Sequence, residues 1–335
     1  LYNAKIDQLG TSMVAVAYRT DLHKNNIHFA KIAIDFIRNS GPCYIMIGDF
    51  TNFFDNLDHR YLKERWCDLL GTNELPDDHY AIFKNITRYS KWELTDLLEL
   101  NNPEDTVSGR RELNSKNLVL TKDLYKMYRN HIVKNNSGYG IPQGSPISGL
   151  LANLYMLDID KRINDYVSSL NGLYMRYSDD FIVVVPKTES VKTVFDNVKS
   201  TINIAHRLEL QPEKTQYFKF ENNEITNCGN KFDNSADCSN RFMNFLGFTF
   251  DGHKVAIRAK TTTKYYYRMY SKAKTIAENG GYSYKGKRIS KKNLYKGYSI
   301  RGAFCKRGNF ISYVERSKGV FGKNEAIDRD TKRHM

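Results

Sequence analysis

The stretch Tyr174-Met175-Arg176-Tyr177-Ser178-Asp179-Asp180-Phe181-Ile182-Val183-Val184-Val185 (174–185) decides how this chain folds. Two β-rich runs, 174–176 and 181–185, flank a short polar tip, the pattern of a hairpin whose strands are buried. The tip carries Asp179 and Asp180. An Asp-Asp pair taken alone is most often a solvated turn, but solvated loops are rarely held between two apolar strands. A second short apolar run, 43–47, reads as another buried strand and delivers Asp49 at its end. Taken alone, that aspartate reads as a strand end or a helix cap.

Outward from these strands the chain mixes helices with sheet. Residues 28–38 have apolar positions at helical spacing, and Gly41-Pro42 ends that helix. Residues 58–70 read as a helix, and 79–90, 92–100 and 121–134 as further helices around a polar loop near 101–117. The turn-rich run Gly140-Ile141-Pro142-Gln143-Gly144-Ser145-Pro146 precedes a long amphipathic helix over 148–167. Residues 191–208 are helical. Pro212-Glu213-Lys214-Thr215 leads into a strand. Residues 245–250 and 254–258 flank Asp251-Gly252, a strong hairpin signal. No internal repeat is visible. The class is α+β, with an antiparallel sheet packed on helices.

The chain has 335 residues, more than one average domain, and 41% hydrophobic residues, enough for a substantial core. Its net charge of +14 calls for a polyanionic partner. That charge is concentrated. Residues 252–335 hold 22 Lys and Arg against 5 Asp and Glu, leaving 29 basic and 32 acidic groups in the first 251. In the basic region, 260–274 and 282–307 alternate cations with tyrosines: cations neutralise phosphates while rings pack on sugars and bases. The bland alternative is a helical domain with a solvated basic face. The five cysteines show no zinc spacing, since Cys228 and Cys238 lie ten apart, and read as reduced cytoplasmic thiols. No signal peptide and no membrane-spanning apolar run is visible, so no membrane partner is expected. Leu1 falls inside an apparently structured stretch, so the natural N-terminus is expected upstream.

Phosphoryl transfer to a nucleic-acid 3′ end uses two divalent cations about 3.5–4 Å apart, and hard cations take oxygen ligands. Asp49 at a strand end and Asp179-Asp180 at a hairpin tip supply such ligands if the two strands are neighbours.

The segment IGDFTNFFDNLDH (47–59) resembles motif A of reverse transcriptases, GIPQGSPISGLLANLYMLDID (140–160) their motif B, and YMRYSDDFIVVV (174–185) their motif C. LELQPEKTQYF (208–218) is similar to motif D and NFLGFTF (244–250) to the primer-grip motif E. AVAYR (15–19) and NNIHFAKIAIDFI (25–37) resemble the finger motif ahead of motif A. The resemblance implies a right-hand polymerase fold, with fingers at 1–40 and 60–139, palm at 41–59 and 140–250, and a helical thumb at 251–335. The thumb holds the template–primer duplex.

The resemblance also implies roles. Asp49 and Asp179 bind two Mg²⁺ ions, with Mn²⁺ as a substitute, the Phe50 carbonyl adds an oxygen ligand, and Asp180 contributes charge. Phe54, five residues after Asp49, matches the steric gate that selects dNTP over rNTP. Phe53 goes to the core, because one of two adjacent strand residues faces the other way. Gln143 and Gly144 match residues that touch the incoming nucleotide and template, Gly144 by allowing close backbone approach. Arg19 resembles the finger arginine that grips triphosphate, or is a surface arginine. Lys214 matches the motif D lysine, a general acid for pyrophosphate, or is an ordinary loop lysine.

No maturase or endonuclease region follows the thumb, no Val-Thr-Gly signature of retron enzymes is present, and there is no room for RNase H. Gly48 and Ser178 depart from the commonest bacterial forms without removing a ligand. The chain therefore looks most like the compact bacterial defence-associated and abortive-infection reverse transcriptases, relatives of retron and group II intron enzymes. That likeness implies a cytoplasmic enzyme that makes DNA from an RNA template and dNTPs, with a cognate non-coding RNA and an antiphage role. An RNA-dependent RNA polymerase and a catalytically idle RNA-binding scaffold are the alternatives. Protein-primed or template-independent synthesis also stays open, as does oligomeric state. If many phosphate contacts hold the RNA, its affinity should fall by a factor of about 10³ or more between 50 and 200 mM salt. A filter-binding titration across that range measures this, and a flat response would remove the thumb assignment.

Overall fold

The computed structural model describes the chain apart from residues 189, 234–235, 237, 283–285, 287, 289–290, 306–307, 323–325 and 329–335, and apart from the side chains of 291–293 and 328. Parts of the basic 282–307 segment therefore lie outside the described residues. The chain forms two compact units, one of Leu1–Ile6, Thr51–Leu157 and Ala205–Leu208, the other of Asp7–Phe50, Asp158–Ile204 and Glu209–Met335.

The larger unit is built on a five-stranded antiparallel sheet. Its strands are β1 (Cys43–Asp49), β2 (Leu173–Tyr177), β3 (Asp180–Pro186), β4 (Gln216–Glu221) and β5 (Glu224–Asn227), in the order β2-β3-β1-β4-β5. The central strands read as continuous apolar runs because both faces are covered. On one face, Ile45, Ile47, Met175, Ile182, Val184 and Phe218 meet the buried stripe Ile27, Ala30, Ala33, Ile34 and Ile37 of the helix Asn26–Asn39. On the other face Tyr217 lies against Phe195 of the helix Val191–Asn203, ring centroids 5.5 Å apart. The helix Asn26–Asn39 starts where Asn25 accepts from the Ile27 amide in a capping box with His28.

A three-stranded meander, β6 (Met243–Phe245), β7 (Phe248–Phe250) and β8 (Val255–Ile257), joins the same core. The expected strand over 245–250 is interrupted: Leu246 and Gly247, both at positive φ, form the two-residue tip between Phe245 and Phe248. The helix Phe310–Phe321 packs on Asn26–Asn39, with Phe321 against Phe248. That packing keeps the described C-terminal residues inside the larger unit.

The smaller unit is mainly helical: His59–Leu70, Asp77–Thr87, Leu94–Asn101, Val107–Leu113, Lys122–Tyr128 and Ser148–Tyr155, with a two-residue ladder of Ser90–Lys91 on Val133–Lys134. Three expectations change along these segments. The loop near 101–117 contains the helix Val107–Leu113, started by Thr106 accepting from the Gly109 amide at 3.0 Å. The helix expected over 121–134 stops at Tyr128, because the chain turns into the ladder. The helix expected over 148–167 is also two helices, Ser148–Tyr155 and Leu157–Ser169, parted at Met156.

One close approach positions the sheet's functional end. Gly48 is the register partner of Phe181, and a Cβ there would fall 2.3 Å from the Phe181 ring. The ring is fully buried between Phe50 and Tyr174, so it has little room to move. Gly48→Ala should therefore cost about 1–3 kcal/mol in urea unfolding, as overpacking does. The double variant with Phe181→Leu should recover part of that loss.

Candidate active site

β2 and β3 meet in a two-residue turn of Ser178 and Asp179, since Tyr177 and Asp180 are register partners. Ser178 has φ +63°, the positive first position of a type II′ hairpin turn, where glycine is the usual residue. Asp49, the last residue of β1, is the register partner of Asp180. Directly opposed side chains share a face, so the two carboxylates project to the same side as Ile47 and Ile182. Like charges in that relation repel.

The electrostatics register this. Burial pushes the Asp180 carboxyl up to about 7, and the charges of Asp179 and Asp49 push the same way. Lys214, at the end of the short turn Pro212–Lys214, donates to Asp49 Oδ2 at 2.8 Å. That hydrogen bond lifts the lysine above its ordinary value, and the charges of Asp49, Asp179 and Asp180 add to it. The Asp49 carbonyl accepts from the Gln211 amide at 2.9 Å, which ties the 209–214 segment to the strand end. Phe50 is buried, its amide donating to the Asp179 carbonyl at 3.3 Å.

A cleft of about 420 Å³ opens beside the carboxylates, lined by Asp49, Asp180, Tyr177, Gln216, Gly247 and Arg258 among others. Its wall is rich in amides. Asn26 donates to the Leu246 carbonyl at 3.0 Å, and the buried Gln216 Oε1 has no hydrogen-bond partner among the described residues. An unpartnered buried acceptor beside a cleft is suited to a donor brought by a ligand. Hard carboxylate oxygens, partly offset by the Lys214 ion pair, are a chemically fitting donor set for divalent cations. Among the described residues, no three His, Cys, Asp or Glu side chains already converge as a metal-binding group.

The other expected residues fall in two places. Arg19 lies in the larger unit, nearly buried, its guanidinium on the Asp21 carboxylate (2.6 Å at the closest) and on the Ser12 carbonyl at 3.0 Å. Phe54, Gln143 and Gly144 belong to the smaller unit. There the Gly140–Ser145 loop is stitched to the segment after Asp49: the Ile141 amide donates to the Phe54 carbonyl at 2.9 Å, and the Gly140 amide to the Leu57 carbonyl at 2.8 Å. Gln143 is exposed, and Gly144 has φ +94° with open space around it, so its backbone conformation and not crowding asks for glycine. Phe53 and Phe54 lie in a 3-10 turn, Phe53–Asn56, and both are buried, with rings 5.5 Å apart edge to face. Strand alternation therefore does not separate their roles.

Sequence reasoning passed over Arg176 and Asp160. Both are buried, and the Arg176 guanidinium holds Asp160 through two nitrogens while its third reaches the Ser178 carbonyl. The available signal was a charge at an inward position of an apolar strand, on the same face as Tyr174.

Residues 104–250 match the family model for the reverse transcriptase (RNA-dependent DNA polymerase). That span carries Gln143, Gly144, Asp179, Asp180 and Lys214; Asp49 precedes it. Over that span, a little under half of its length, the chain is similar to the reverse transcriptase domain. Its fold is α+β, with an antiparallel sheet packed on helices.

Among solved structures the chain is similar to telomerase from Candida tropicalis in complex with a TWJ fragment of telomeric RNA. Identity is 15% and TM-score 0.44, over 98% of this chain and 51% of that one. It is also similar to apo telomerase from Candida tropicalis truncated from its C-terminal domain (14%, 0.43, 76% and 43%). A third is telomerase from Candida albicans with a TWJ fragment of telomeric RNA (14%, 0.43, 77% and 36%). The chain spans about half of those chains or less. No curated protein matches. Among the described residues no helix is long and apolar enough to cross a membrane.

The raised Asp180 carboxyl has a consequence for stability. Below about pH 4 folded and unfolded chains both hold the proton. Between there and pH 7 only the folded chain does, so the stability it contributes is lost as pH rises through 7. With divalent ions chelated, Asp180→Asn should be more stable than the parent by roughly 1–4 kcal/mol at pH 8. The gap should close toward pH 4. Thermal melts across that range measure it, and a pH-independent gap would reject burial and repulsion as the cause.

Proposed function

We propose that this chain is an RNA-directed DNA polymerase that extends a primer 3′ end with dNTPs on an RNA template. The observation that carries the reading is the register of Asp49 opposite Asp180, with Asp179 at the adjoining turn, inside a chain whose residues 104–250 match the reverse transcriptase family. Asp49, Asp179 and the Phe50 carbonyl would hold two Mg²⁺ ions, with Mn²⁺ as a substitute, and Asp180 would add charge. Such ions lower the pKa of the attacking hydroxyl and neutralise the leaving pyrophosphate.

The chain's own residues do the rest. Lys214, kept protonated by the carboxylates, is the proton donor to pyrophosphate. The amide-lined cleft beside Leu246 and Gly247 takes the primer end. Phe54 forms the steric gate, and Gln143 and Gly144 hold the nucleotide and template. Arg19 grips triphosphate by exchanging Asp21 for phosphate oxygens. The helix Ala259–Glu278 buries no residue and exposes Tyr267 and Tyr270 among its cations, which supports a duplex-holding role. The motif resemblance further supports a cytoplasmic antiphage role with a cognate non-coding RNA.

Primer extension on an RNA template with labelled dNTPs and rNTPs tests the reading. DNA synthesis should dominate, Asp179→Asn should lower it at least about 10³-fold, in the range of lost transition-state charge stabilisation, and Phe54→Ala should raise rNTP incorporation. Preference for rNTPs in the parent protein would make it an RNA polymerase. Phage protection that survives Asp179→Ala with Asp180→Ala would make it a scaffold, and sequencing copurified RNA identifies the template.

A further inference from the structure

The turn that carries Asp179 is held in a conformation its residue does not favour. Ser178 sits at φ +63°, buried, where a side chain with a Cβ is strained. Such a turn persists only if its surroundings over-determine it. A contact from the protein interior comes from Arg176, whose side chain is fully buried two residues back on β2. Its Nη1 donates to the Ser178 carbonyl at 2.9 Å. Its Nε and Nη2 donate to Asp160 Oδ1 and Oδ2 at 2.9 and 2.6 Å. Asp160, on the helix Leu157–Ser169, also accepts from the Tyr174 hydroxyl at 2.9 Å. The Arg176 backbone is pinned as well: its amide donates to the Val14 carbonyl at 2.8 Å, and its carbonyl accepts from the Val16 amide at 3.0 Å.

We infer that Arg176, oriented by Asp160, is a positioning residue that locks the Ser178 turn and thereby sets where Asp179 presents its carboxylate. The physical argument is one of geometry. A buried ion pair is a poor source of net stability, since desolvating both charges offsets their attraction. A planar guanidinium with donors on three nitrogens can hold a carboxylate and a carbonyl at once, which an ammonium cannot do in the same geometry. The pair therefore serves as a rigid bracket between a helix and the strained turn. From outside, the Tyr18 and Ser178 hydroxyls share a hydrogen bond at 2.8 Å, and Tyr18 is itself at φ +62°. This bond secures the side chain of the residue whose carbonyl Arg176 holds.

The inference rests on the polymerase reading for its catalytic consequence but not for its structural one, so two readouts separate them. In primer extension, Arg176→Lys should lower kcat 10- to 100-fold while KM for dNTP and affinity for primer–template change less than threefold. Adding Ser178→Gly, which removes the strain at that φ, should restore at least a third of the lost rate on a logarithmic scale. In hydrogen–deuterium exchange, Arg176→Lys should quicken the peptide spanning 173–182 at least tenfold and leave the helix Val191–Asn203 unchanged. Exchange that rises equally across the unit, or a rate loss that Ser178→Gly does not relieve, would reduce Arg176 to a general stabiliser and overturn the inference. If Arg176→Lys does not fold, Tyr174→Phe removes one donor from Asp160 and should quicken the same peptide severalfold; unchanged exchange there overturns it. If the parent protein incorporates no nucleotide, the polymerase reading falls and the exchange data still decide the bracket.

Discussion

The structure depends on a pairing that electrostatics opposes. Asp49 and Asp180 face each other across the β1–β3 ladder, with Asp179 next to them. No local attraction brings them together. What does so is the apolar register behind them, Ile47 on Ile182 and Ile45 on Val184, packed under the helix Asn26–Asn39. A slip of one residue would turn every one of those side chains to the wrong face, so the hydrophobic pattern specifies the register and the carboxylates are carried along. Gly48 under Phe181 closes the other face of the same strand end. Lys214 and the Arg176 bracket then act on a geometry that burial has already imposed.

Much of this was legible in the amino-acid order. The hairpin at 174–185, the strand ending at Asp49, the helix over 28–38 and the turn at Asp251-Gly252 all follow from local pattern, and local pattern is what buried strands and amphipathic helices display. The parts that did not read through were set by tertiary context. Phe53 and Phe54 looked like strand residues, yet the chain leaves β1 at Asp49 and coils into a 3-10 turn that buries both rings. The polar 101–117 run hid a two-turn helix, because its cap, Thr106, sits in a stretch with little apolar periodicity. Arg176 was unreadable as a bracket because its partner, Asp160, is sixteen residues back on a helix. The hydrogen bonds from Gly140 and Ile141 to the Leu57 and Phe54 carbonyls are likewise a pairing that the spacing of motifs does not announce.

Charge along the chain has the same logic of segregation. The carboxylates sit in the part of the sequence that is close to neutral overall, and the excess of cations comes after residue 251. Arg258 joins the two. It lines the cleft beside Asp180 and immediately precedes the helix Ala259–Glu278. The amide-rich wall of the cleft adds hydrogen-bond capacity there without adding charge.

The central position of β1 also bears on how the protein is made. Its two neighbours, β3 and β4, are encoded far downstream, beginning at residues 180 and 216. At a synthesis rate of about 5–20 residues per second, β1 waits roughly 7–26 seconds for its first partner strand. During that interval an apolar segment has both of its hydrogen-bonding edges unsatisfied, a template for pairing with another chain. The helix Asn26–Asn39 is already complete by then and can cover one face of the strand, though neither edge. A nascent chain of this topology therefore carries two open strand edges until its downstream partners emerge.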